Sequence, residues 1–403
     1  MKKSMIVAAM LAMVATGANA KSATDSATIV KNKPVFTVVK QNPITSIKDQ
    51  NRSGTCWAYS TLSYFESEIL KHTGKTYDLS EMFVANKTYM DRATMAVRMH
   101  GDVSFSQGGS AYDVLYALQH YGIVPEGAMP APGTLTGDSL ANFGEFFDVM
   151  TPYVEAVAKS NAKKISSAWK SGLQGIIDSY IGKTPEKFTY QGKQYTPQSF
   201  CQSLGLNLDD YVTITSYTHH PMWSKFAVEV QDNWRWPLSY NVPMDDLCKI
   251  IDNAINNGYT VAWGGDVTED GFTRKGLGIA YDVKKVRSMA GTDADHWFKL
   301  SKDEKKEKFD SLGVNAPEVV PTQAMRQEAF DNWETTDDHG MHIYGIAKDQ
   351  NGKEYYMVKN SWGEYGDYKG TWYMTKAFVA YKTMDFMVNK NAIPKDIRKK
   401  LGI

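Results

Sequence analysis

The sequence predicts an α+β protein in two lobes, with helices first and antiparallel strands last. Three observations carry that expectation. Ala58, Leu62, Phe65 and Ile69 recur at helical spacing just after Cys56. The stretch from about 128 to 250 contains further helical runs. Toward the C-terminus, two strand-like runs, GMHIYGIAKD and KEYYMVKNSW, flank Asn351-Gly352, a dipeptide whose residues both tolerate the positive φ of a tight hairpin.

The elements follow in order. KSATDSATIVKNKP is a polar, mobile start. A first helix opens near Cys56 and is expected to stop at Gly74, where a left-handed residue closes the last turn. A second begins at Leu79-Ser80-Glu81 with Ser80 as N-cap, and a third lies between Ser110 and Gly122. NFGEFFDVMTPYVEAVAKSNAKKISSAWKSGLQGIIDSYIG and TPQSFCQSLGL then read as helical, while HHPMWSKF and DNWRWPLSY read as aromatic-rich loops. DLCKIIDNAINNG forms a helix ending at Gly258, and YTVAWGGDV a buried strand. The run DEKKEKFD at 303–310 is a charged helix face, and GTWYMT a last strand.

Composition narrows the function. Aromatic residues make up 12% of the chain and charged residues 22%, enough apolar material for a packed core. The 45 basic and 45 acidic residues cancel, leaving no basic stripe for a nucleic acid partner. Lys2 and Lys3, the apolar run Met5 to Val14 and Ala18-Asn19-Ala20 make residues 1–20 an export signal peptide. The chain is expected to be periplasmic or secreted, and no segment is long enough to span a membrane.

The three cysteines, Cys56, Cys201 and Cys248, form no CxxC pair and no zinc-ligand cluster, so neither a metal nor an organic cofactor is expected. Cys201 and Cys248 are either bridged or buried thiols. His219-His220 has no partner at ligand spacing and reads as a solvated loop. Cys56 differs, because a thiol at a helix N-terminus meets the positive end of the helix dipole, a setting that lowers its pKa. Gln50 lies six residues upstream, where its amide and the Cys56 N–H form a two-donor oxyanion hole. A histidine in DDHGMHIYG and Asn360 in KNSWGEYG lie on neighbouring hairpin strands, where the amide holds the imidazole in the tautomer that takes the thiol proton.

QNRSGTCWA, DHGMHIYG and KNSWG, in that order, resemble the papain family of cysteine peptidases. SEMFVANKTYMDRA, GGSAYDVLYALQHYGIVPE and LCKIIDNAINNGYTVAWGGDV narrow the likeness to the bleomycin hydrolase and aminopeptidase C branch. The resemblance implies a papain-like fold: a helical lobe with the nucleophile (21–127), a mainly helical insertion (128–250) and a β-rich lobe with the base (251–403). It also implies peptide hydrolysis through a thioester acyl-enzyme, with Cys56 as nucleophile, His339 as base, Asn360 as its orienter and Gln50 at the oxyanion. His342 remains the alternative base, since the two histidines are an odd number of residues apart and face opposite ways on a strand. The family frame favours His339, with Asp338 before it, Gly340 after it and Gly345 six places on. It places Gly108, Gly109 and Trp362 in the substrate-binding set, the glycines as the edge that pairs with an extended peptide and the indole as the shield of the His–Asn bond. Ser53 stands where many members carry a second cysteine. The branch forms ring-like hexamers, implying a homo-oligomer, and often closes one cleft end with its own C-terminus. The tail MVNKNAIPKDIRKKLGI does not match that arrangement, leaving endopeptidase, acyl transferase and non-catalytic peptide-binding readings beside the aminopeptidase one.

Overall fold

The computed structural model describes residues 34–130, 140–285 and 311–403, with 301, 303, 304 and 307 between them. The expected export signal, the polar start to residue 33 and most of the charged run at 303–310 lie outside the described residues. No helix among the described residues is long and apolar enough to cross a membrane.

Strand β1 (Thr37–Gln41) leads to α1 (Cys56–Thr73), α2 (Glu81–Arg98) and α3 (Ala111–His120). Burial of α1 is continuous from Trp57 to Ile69, the pattern of a helix enclosed on all sides rather than amphipathic. It lies between the other helices and the sheet. Its end is Gly74 at φ 69°, whose N–H returns to the Leu70 carbonyl. Ser80 caps α2 by accepting from the Phe83 N–H at 3.1 Å. Asp113 accepts from the Ser110 N–H at 2.9 Å, closing a capping box on α3.

Helices α4 (Gly144–Ala158) and α5 (Ala168–Ile181), a small hairpin of β2 (Phe188–Tyr190) and β3 (Lys193–Tyr195), and α6 (Pro197–Ser203) extend the helical lobe. Between that point and Met244 the segment expected to be mainly helical forms strands instead. Strands β4 (Tyr211–Thr215), β5 (Lys225–Phe226) and β6 (Ser239–Asn241) join the main sheet. The run YVTIT is β-branched and buried, which suits a pleated surface better than a helix.

Helix α7 (Met244–Asn256) and strands β7 (Val261–Gly265), β8 (Phe272–Thr273) and β9 (Leu277–Gly278) follow. After α8 (Gln323–Asp331) come β10 (His339–Lys348), β11 (Glu354–Lys359), β12 (Thr371–Thr375), α9 (Lys376–Lys382), β13 (Thr383–Asn389) and α10 (Lys395–Leu401). The sheet runs β5-β6-β4-β13-β7-β10-β11-β12-β9-β8, with β1 on β10. It is antiparallel except for β4–β6 and β9–β12. In the β10–β11 turn only Gly352 takes positive φ, at 83°. Asp349 does the rest, accepting from the N–H groups of Asn351 and Lys353 at 2.8 and 3.0 Å.

Candidate active site

The two lobes meet where α1 crosses β10 and β7. There the chain leaves a cavity of about 260 Å³ lined by Cys56, Gly108, Gly109, Asp232, His339 and Gly340, among others. Cys56 and His339, 283 positions apart in sequence, thus line one cavity. Gly340 permits that approach, since a Cβ there would lie 2.7 Å from Ser60 Oγ and 3.2 Å from the Trp57 Cα.

His339 is 6% exposed, and its Nε2 lies 2.8 Å from Asn360 Oδ1. The same oxygen accepts from the Ser361 N–H at 2.8 Å, which fixes the amide orientation. Nε2 must therefore carry the proton, leaving Nδ1 its lone pair. Trp362 packs on the imidazole with ring centroids 4.9 Å apart; it covers His339 and is not part of the cavity lining.

His342 takes the opposite direction. It is fully buried, with Nδ1 2.9 Å from Ser63 Oγ, and faces a separate small polar cavity. Of the two histidines left open by the sequence, His339 alone shares the cavity with Cys56.

Gln50 is buried beside the loop that enters α1. Its Oε1 accepts from Ser361 Oγ at 2.6 Å, and its Nε2 donates to the Ser53 carbonyl at 2.8 Å. One amide N–H is thereby used, and the second has no partner among the described residues. Gln50 is not part of the cavity wall. Ser53 hydroxyl donates to the Gln50 carbonyl at 2.6 Å, so hydrogen bonds fold this loop without a disulfide. All three cysteines are free: Cys201 lies under the helical lobe and Cys248 on α7.

Electrostatics correct the expected thiol. Burial pushes Cys56 up to about 11, and Asp337 and Asp232 add to the rise. The N–H groups of Gly340 and Trp57 oppose it without prevailing. Burial also pushes His339 down to about 4, against the Asn360 hydrogen bond. Both shifts favour the neutral form of each group taken singly, because a charge here loses more hydration than the helix terminus returns.

The expected substrate edge is only partly open. The Gly108 carbonyl accepts from Arg92 Nη1 at 2.6 Å, and a Cβ at Gly108 would overlap the Asp232 carboxylate. Buried Arg92 holds Asp232 in place through Nη2 at 3.1 Å. Gln107 ties the edge to the residues flanking Cys56, its Oε1 accepting from the Gly54 N–H at 2.7 Å and its carbonyl from Trp57 Nε1 at 3.0 Å. Arg92, Gln107, Asp232 and Asp337 are not among the site residues that the sequence predicts. Only Asp337 carried a local signal, standing two residues before His339.

Residues 2–402 match the model of the Peptidase C1-like family. Aminopeptidase G of Lactobacillus delbrueckii subsp. lactis is 23% identical over 397 residues, covering 89% of this chain and 84% of that protein. Aminopeptidase C of Lactobacillus helveticus is 24% identical over 410 residues, covering 90% and 85%. The crystal structure of pepw from Lactobacillus rhamnosis superposes with a TM-score of 0.68 at 19% identity, covering 96% and 92% of the two chains, a likeness of fold. With that match running along nearly the whole chain, this protein belongs to the Peptidase C1-like family.

Proposed function

We propose that this protein is an exported aminopeptidase that releases residues from peptides through a thioester acyl-enzyme. One observation carries the chemistry: the Asn360–His339 hydrogen bond of 2.8 Å leaves the lone pair on Nδ1 of an imidazole that lines the same cavity as Cys56. In the proposed reaction His339 takes the thiol proton as sulfur attacks the scissile carbonyl. The Cys56 N–H and the second Gln50 N–H meet the oxyanion. His339 then protonates the leaving amine, and water cleaves the thioester.

Selectivity for a free N-terminus rests on two supports. Similar proteins are named aminopeptidases. Asp232 also stands over Gly108, where a longer peptide would continue along the edge, and its carboxylate suits an α-ammonium. The C-terminal tail has another place: Ile397 and Leu401 of α10 pack into the core of the sheet lobe, and no residue beyond Asp385 lines the cavity. Export rests on the signal-like residues 1–20.

Hydrolysis of one dipeptide amide with its amine free and acetylated tests the reading. Cleavage of the free form alone is expected; equal cleavage of both would refute the exopeptidase part.

A further inference from the structure

The fold supplies the partner that His219-His220 lacks in sequence. Glu229, 10 and 9 residues further on, places Oε2 3.0 Å from His219 Nε2 and Oε1 2.9 Å from His220 Nε2. Among the described residues this is the one group of three side chains whose ligand atoms all lie within 4.8 Å of one another. Tetrahedral zinc with bonds of about 2.0–2.2 Å sets ligand atoms about 3.3 Å apart, and both imidazole–carboxylate separations lie a few tenths of an ångström below that.

The rings are held before any ion arrives. His220 stacks on Phe226 at 4.2 Å and 20°, and His219 lies parallel to Phe330 at 5.7 Å and 14°. Gln327 of α8 contacts His219 Nδ1, with Oε1 at 3.3 Å and Nε2 at 3.0 Å. When Oε1 accepts the Nδ1 proton, Nε2 is free to ligate, as an outer partner does for metal-bound imidazoles. Hydrogen bonding to one exposed carboxylate is weak compensation for fixing two rings and a glutamate.

We propose that His219, His220 and Glu229 bind one divalent transition-metal ion, with zinc the natural match for two imidazoles and a carboxylate. The ion clamps the segment from His219 to Glu229, which continues into Val230 and Asp232 on the wall of the catalytic cavity. It has no part in the bond-breaking chemistry proposed above and does not depend on it.

The test uses the full-length Cys56→Ala protein, which removes the cavity thiol as a competing zinc ligand. Calorimetric titration with ZnCl2 in a non-chelating buffer is expected to show one site of micromolar or tighter affinity. Glu229→Gln keeps the size and hydrogen bonding of the side chain, and should weaken that site at least 10-fold, as should His220→Ala. Hydrogen exchange should show zinc slowing the amides of 217–233 in Cys56→Ala but not in the added Glu229→Gln variant. Absence of a binding heat, or binding unchanged by Glu229→Gln, would overturn the proposal and leave the three side chains a hydrogen-bonded surface group.

Discussion

Asn360 Oδ1 lies 2.8 Å from His339 Nε2, while the Asn360 amide nitrogen is buried with no partner among the described residues. The amide is thus held by its oxygen alone, and that oxygen decides which imidazole nitrogen bears the proton. Asn360→Ala should lower kcat by about 100-fold with little change in KM, because tautomer control acts on proton transfer rather than on peptide binding. Steady-state kinetics on a free-amino dipeptide amide check this, and an unchanged kcat would contradict it.

The pH dependence follows from burial. His339 is pushed down from 6.5 to about 4, so the neutral base survives as pH falls through 6.5 and is lost only near 4. The acid limb of kcat/KM should therefore lie nearer pH 4 than 6.5. Stability moves the other way. Below pH 6.5 the unfolded chain gains a proton that the folded chain refuses, so stability falls between 6.5 and about 4, by at most about 3 kcal/mol. Urea midpoints at pH 7 and 4.5 should separate less in His339→Gln than in the wild type.

The thiol offers a second pH readout. With Cys56 pushed up to about 11, its alkylation by iodoacetamide should accelerate steadily from pH 7 toward 10. A rate already flat from pH 5 would instead indicate a resting thiolate–imidazolium pair.

Arg92 is fully buried, and holds both the Gly108 carbonyl and Asp232. Arg92→Met should destabilise the protein by about 3–5 kcal/mol, since a carboxylate loses its cation and a backbone oxygen its donor. Adding Asp232→Asn removes the orphaned charge and should recover part of that loss. Denaturant titration of the single and double variants measures the coupling.

Asp232→Ala should open the Gly108 edge. Cleavage of N-acetylated peptides is expected to rise at least 10-fold relative to free-amino peptides. An unaltered ratio would remove Asp232 from the account of selectivity.

Much of the site was legible because its parts sit in short motifs. Cys56 stands at a helix start with Gln50 just upstream, and His339 and Asn360 flank an Asn-Gly hairpin whose register can be anticipated. Ser80, Ser110 and Gly74 announced helix ends for the same local reason. Residues that act through tertiary contact left no such mark. Asp232 reaches Gly108 across 124 positions, and Arg92 joins them from a third element. Strands β4 to β6 are short and separated by aromatic loops, so no period of two could be read from them. The thiol's electrostatics failed for another reason: the helix terminus is visible in sequence, whereas the burial that outweighs it is not.

Turnover of a free-amino dipeptide amide by folded Cys56→Ala, followed by high-sensitivity product detection, tests the central pairing most directly. A fall of about 10⁴-fold or more is expected, with the circular dichroism spectrum unchanged. Turnover within 10-fold of wild type would contradict it, because the bond would then be broken without sulfur.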